Sequence, residues 1–240
     1  LSIADSTDWN LSNQPFTWEV WLYPIDRGTN TWPTIIEQYA NSNNRTMLRL
    51  EHQSPENRYE FEWAVGAVYA SVNSDGPPNY NHWQHVAVCR VGNVFTMYID
   101  GVAQTTLTNA VTFGDLSAPL TMGKWGGGNT SGDWKGYMDE IRVSNVARYT
   151  ANFTPDTTEF SPDANTKLLI HSNTTMGSTT FVDSSSAGHT VTPNGGVDHV
   201  APKIGTGMSA FDGSGDSLQY ATSSAWNNGT GAYTVESWIQ

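Results

Sequence analysis

The stretch HWQHVAVCRVGNVFTMYIDGVAQ, residues 82–104, decides the fold class. Residues 85–90 form one apolar-rich run and residues 94–99 a second, both built from strand formers. Between them, Gly92-Asn93 is a two-residue hairpin signal. Asp100-Gly101 marks another turn, and Val102-Ala103 begins a further short strand. The stretch predicts an antiparallel meander. A meander this small cannot bury its apolar face alone, so the rest of the chain has to supply a second sheet.

Outward from there the pattern stays β. In FTWEVWLYP, residues 16–24, Phe16, Trp18, Val20 and Leu22 alternate with Thr17, Glu19, Trp21 and Tyr23, which puts the two sets on opposite faces of a strand. Further strands are predicted at residues 1–4, 32–39, 47–52, 59–65, 67–72, 119–125 and 134–144. Their separators, including NSNN, SPEN, DGPPNYN and GGGNTSGD, are turn and loop chemistry. No segment longer than a turn or two carries helical periodicity, so the class is all-β.

Composition narrows the function classes. Of 240 residues only 14% are charged, and the net charge is −12. Nucleic acid needs a basic stripe, which this balance excludes, and anionic membranes are disfavoured too. No apolar run is long enough to span a bilayer, so membrane insertion is not expected. Cys89 is the single cysteine, which rules out an intrachain disulfide; inside VAVCRV it reads as a small buried hydrophobe. His85 reads as a hydrogen-bonding residue of the core rather than a ligand. The chain begins at Leu1 without Met and reads as a fragment of a longer protein.

Three motifs taken together, W-x-H-V-A with Y-I-D-G-V in the meander, FTWEVWLYP before it and GYMDEIRVSNVAR at residues 136–148, resemble the laminin-G-like, concanavalin A-like lectin/glucanase superfamily in its bacterial or phage form. VSNVARYTANFTP is similar to stretches of phage structural proteins of that family. The resemblance implies an antiparallel β-sandwich of jelly-roll type. It also implies a structural Ca²⁺ where first and last strands meet, with Asp139 as one carboxylate and Asp212 and Asp216 of FDGSGDS as further oxygen donors. For activity it leaves several classes open.

The end of the chain repeats its beginning. With residues 218–240 laid over residues 1–23 without gaps, Leu218 meets Leu1, Ala221 meets Ala4, Trp226 meets Trp9, Asn227 meets Asn10, Thr234 meets Thr17, Glu236 meets Glu19 and Trp238 meets Trp21. The expected organisation is a laminin-G-like unit over residues 1–150 that lacks its own first segment, a linker over 151–165, and the opening half of a second repeat over 166–240. Either that last part folds back and completes the first unit, or the chain is an excerpt of a tandem array with scope for self-association.

Candidate chemistry is sparse. No nucleophile elbow, P-loop or zinc spacing is present. Glu60 and Glu62 in YEFEW have the parity of a glycosidase pair, but no third acid accompanies them, and Asp139 and Glu140 point to opposite faces. Ten Trp residues favour sugar binding instead, because ring faces stack on sugar CH groups while neighbouring amides and carboxylates bond hydroxyls. The candidates lie at loop edges: Trp32, Tyr80, Trp125, Asn129, Asp133 and Trp134. The reading is a non-enzymatic module that binds a glycan or glycosylated surface and mediates adhesion, at a cell surface, on a virion such as a tail fibre, or elsewhere outside the cell. The alternatives are a structural spacer, which would bury its Trp residues, and a degenerate glycoside hydrolase.

Overall fold

The computed structural model describes residues 1–25, 32–53, 56–128, 132–200, 203 and 208–212. In chain order the strands are β1 (Ser2–Ile3), β2 (Phe16–Pro24), β3 (Thr34–Asn41), β4 (Asn44–Gln53), β5 (Glu56–Val65), β6 (Val68–Asn73), β7 (Gln84–Val91), β8 (Val94–Ile99), β9 (Val102–Ala103), β10 (Leu107–Thr108), β11 (Leu120–Met122), β12 (Lys135–Ser144), β13 (Thr166–Ile170), β14 (Val191–Thr192), β15 (Asp198–Val200) and β16 (Met208–Asp212). They form two antiparallel sheets. One runs β14-β1-β11-β3-β4-β5-β6, and the other β10-β8-β7-β2-β12-β16-β15, with β9 on β8 and β13 on β12. The architecture is the jelly-roll sandwich the sequence pattern calls for.

The meander forms as its turns dictate. Val91 pairs with Val94 around Gly92, whose φ is +57°, the Gly-first geometry that matches the twist of the flanking strands. Ile99 pairs with Val102 around Asp100 and Gly101, both at positive φ, a type I′ turn. Gly101 is also needed for space, since a Cβ there would lie 1.9 Å from the Phe153 carbonyl oxygen.

The alternation of β2 sorts its side chains as expected. Phe16, Trp18, Val20 and Leu22 enter the core between the sheets, where Trp18 meets Phe61 edge-on with ring centroids 5.4 Å apart. Trp63 stacks on Phe95 at 4.5 Å across the same interface. Burying one such indole removes roughly 150–250 Å² from water, worth about 4–6 kcal/mol.

The other face of β2 is buried as well, because residues 145–163 lie across it. Thr17 Oγ1 donates to the Val146 carbonyl at 2.8 Å and accepts from the Arg148 amide at 2.9 Å. Further along, the Phe153 amide donates to Gly101 O at 2.9 Å and the Phe160 amide to Glu140 Oε2 at 2.7 Å. The stretch expected as a linker is therefore a strap, with Phe160 buried at 3% exposure. Beyond it, β13 and β16 share one edge of β12: Ile141 faces Ile170, and Lys135 faces Asp212. β14 pairs with β1. Residues 166–212 thus add strands to both sheets. Residues 218–240, the repeated stretch, lie outside the described residues.

Candidate functional site

The family motifs converge on one buried polar knot beneath the strap. Glu19 of β2 is fully buried; its Oε1 accepts from Arg142 Nε at 2.7 Å, and its Oε2 from Tyr149 Oη at 2.7 Å and His85 Nε2 at 3.2 Å. Burial alone would raise the Glu19 pKa. The His85 hydrogen bond and the Arg142 charge outweigh it and hold the carboxyl at about 2. Burial and the Glu19 charge push the Tyr149 hydroxyl well up, so it stays a donor. FTWEVW, W-x-H-V-A and IRVSNVARY, far apart in sequence, meet at this knot. It cross-links the nine-stranded sheet to its strap and offers nothing to a ligand. Cys89 is buried beside it, with Sγ 3.3 Å from Thr17 Oγ1.

A surface able to meet a ligand lies on the outer face of the seven-stranded sheet. Register puts Thr121, Glu37, Met47, Glu62 and Ser71 in one row across β11, β3, β4, β5 and β6. The next rows hold Arg49, Glu60 and Asn73 on one side, and Tyr39, Arg45, Ala64 and Tyr69 on the other. Arg49 Nε donates to Glu60 Oε2 at 2.8 Å, and its Nη2 to Glu62. Arg45 Nε donates to Glu62 Oε1 at 2.7 Å. Burial raises the Glu60 pKa, with Arg49 pulling against it.

Aromatic rings border these ion pairs. Trp32 is 38% exposed, with the Arg49 guanidinium 5.6 Å from its ring centroid. The exposed Tyr69 carries Arg45 at 5.0 Å, and the half-buried Trp125 meets Tyr39 edge-on at 6.2 Å. The Gly-rich loop after β11 closes on this border. A Cβ on Gly127 would lie 2.2 Å, and one on Gly132 2.3 Å, from Trp125 atoms. The Gly126 amide donates to Glu37 Oε1, as does Thr121 Oγ1 at 3.1 Å. Glu37 Oε2 is buried without a hydrogen-bond partner. Burial lifts the Glu37 carboxyl to about 7 against these two bonds and the charges of Arg45 and Arg49.

Of the residues the sequence singled out, Trp32 and Trp125 share this border: a Cβ added at Gly132 would lie 2.3 Å from a Trp125 atom and 3.4 Å from Trp32 O. Trp134 does not. Expected at an exposed loop edge, it is 1% exposed inside the core, because its amide pairs with Gly123 O and its ring turns between the sheets. Its ring has no face for a sugar. Asp133 is buried beside it. Tyr80 is half-buried in the connection between β6 and β7, away from the Gly-rich loop in sequence, and Asn129 lies outside the described residues. Glu60 and Glu62, the parity pair for a hydrolase, are each tied to arginine.

The calcium donors do not come together in the described residues. Asp139 is fully buried, and its Oδ1 accepts the Glu140 amide at 2.9 Å. Asp212 faces Lys135, four residues from Asp139 along β12, or about 13 Å at strand rise. Asp216 lies outside the described residues. Among those residues, no group of three or more His, Cys, Asp or Glu side chains could hold a metal ion.

Glu37, Arg45 and Arg49 went unnoticed in the sequence, although a signal was present. Arg45, Arg49 and Glu51 in β4 and Arg58, Glu60 and Glu62 in β5 occupy alternate positions with opposite charges.

Comparison with known proteins bears on the fold. The fold is shared with a "putative carbohydrate binding protein" from Bacteroides ovatus: TM-score 0.59 and 17% identity over 79% of this chain and 55% of that one. Domain 4 of an extracellular arabinanase from Geobacillus stearothermophilus, in complex with arabinotriose, gives a TM-score of 0.48 at 19% identity over 61% of this chain and 66% of that one. Domains LG4-5 of the mouse laminin α1 chain give 0.47 at 14% identity over 61% and 39%. The chain thus spans 55% and 66% of the lengths of the first two. No curated protein matches. The profile of one family matches residues 2–152, well over half the chain, and the protein belongs to that family, the concanavalin A-like lectin/glucanases superfamily.

Proposed function

We propose that the chain is a non-catalytic carbohydrate-binding and adhesion module of an extracellular or virion-surface protein carrying tandem copies, and that it meets its glycan on the outer face of the seven-stranded sheet. The observation that carries this is the juxtaposition of exposed Trp32 with the Arg49–Glu60–Glu62 ion pairs. An aromatic face beside oriented donors and acceptors is what a sugar ring requires. The fold shared with the Bacteroides ovatus protein supports the same reading. A glycan array of the whole chain, run with calcium and again with EDTA, tests it. Trp32→Ala and Trp125→Ala should each weaken binding on the order of ten-fold. Binding indifferent to both, or none from a folded chain, refutes the proposal.

One observation favours a structural spacer: Trp9, Trp18, Trp21, Trp63 and Trp134 are all buried. A blank array would move the assignment there. A hydrolase gains less support, because arginine bonds keep Glu60 and Glu62 engaged as acceptors.

A further inference from the structure

The arginines on this face each have a carboxylate opposite. Arg45 and Arg49 bond Glu62 and Glu60, and Arg58 faces Glu51 across the β4–β5 register. Glu37 has no arginine opposite it; it is buried, bonded to the Gly126 amide, with Oε2 lacking a hydrogen-bond partner. Among the described residues, the five carboxylates of β3–β6 (Glu37, Glu51, Glu56, Glu60 and Glu62) thus outnumber the three guanidiniums (Arg45, Arg49 and Arg58) by two, on a chain of net charge −12. Lys124, exposed and next to Trp125 in sequence, is an additional cation at the border.

Resting on the carbohydrate-binding reading above, we infer that this face selects neutral, hydroxyl-rich glycans and rejects acidic ones such as sialylated or uronate-containing chains. A guanidinium and a carboxylate side by side match a vicinal diol: one hydroxyl accepts from arginine and its neighbour donates to glutamate, with no net charge transferred. Arg49 spends one N–H on Glu60 and one on Glu62, which leaves further N–H groups of its five for a ligand. A sugar stacked on Trp32, 5.6 Å from Arg49, would bring its hydroxyl edge to that pair. A sugar carboxylate in the same place would meet the negative charges of Glu60 and Glu62 beside the guanidiniums and would compete with them for those arginines. Repulsion between like charges and the loss of those ion pairs both oppose it.

The test uses the whole chain and isothermal titration with neutral pentose and hexose oligosaccharides, alongside the same backbones capped with sialic acid or built from galacturonate. The expected result is binding of a neutral member, with acidic counterparts weaker on the order of ten-fold or more, and little change as NaCl is raised, since no ion is exchanged. Trp32→Ala and Arg49→Gln should each weaken the neutral ligand. Trp32 is exposed, so its variant keeps the fold and separates loss of contact from misfolding. Preference for an acidic ligand, especially one abolished by Lys124→Gln, overturns the specificity while leaving carbohydrate binding standing. Binding of neither class by a folded chain overturns both.

Discussion

Replacing Glu19 by glutamine removes the centre of the buried knot. In the native protein one carboxylate accepts from Arg142, Tyr149 and His85 with no exposure to water. Glutamine retains one acceptor oxygen and sets an NH₂ group against the remaining donors. Arg142, 6% exposed, is then a cation without its counter-ion. Breaking one partner of a buried pair costs about 3–5 kcal/mol. Linkage gives a second figure: a carboxyl held at about 2 against an ordinary 4.5 contributes about 3 kcal/mol at neutral pH. Because the folded pKa is the lower one, this stability is present above about pH 4.5 and is lost as pH falls toward about 2. Urea unfolding followed by Trp fluorescence, at about pH 7 and about pH 2, measures both. The variant should lose about 3–5 kcal/mol at neutral pH, a fall in Tm of roughly 6–12 °C or more, and the gap should shrink by about 3 kcal/mol in acid. A neutral-pH loss below about 1 kcal/mol, or a gap that does not change with pH, would refute the account of the knot.

Two further outcomes check the strap and the loop. Gly101→Ala places a methyl 1.9 Å from Phe153 O at φ +77°, so it should cost about 1–3 kcal/mol and speed hydrogen exchange at the Phe153 amide; unaltered exchange would show that Gly101 does not anchor the strap. Glu37→Gln tests the raised carboxyl. With a folded pKa of about 7 against 4.5, the wild type should lose up to about 3 kcal/mol as pH rises through that window, and the variant should lack this loss; parallel pH profiles would be the contrary result.

By itself the sequence determined most strands of residues 1–144 and the family. Period-two alternation in residues 16–24 and the Gly92-Asn93 and Asp100-Gly101 turns are local signals, and local sterics read them the same way in any context. It also sorted the side chains of β2 onto two faces, without saying which of them enters the core. The candidate site was only half legible. Trp32 and Trp125 stood out as loop-edge aromatics, but so did Trp134, two residues beyond Gly132, and only the pairing of its amide with Gly123 O turns that ring into the core. The ion pairs needed more: Glu37, Arg49 and Glu62 become neighbours because three strands align in one register, and register is a property of the assembled sheet. The strap is similar, since TANFTPDTTEF has linker composition, and only the polar faces of β2 and β12 beneath it give its amides and aromatic rings something to bind. Local steric preferences can be read along a chain, whereas contacts between residues far apart in sequence exist only once the sandwich has closed.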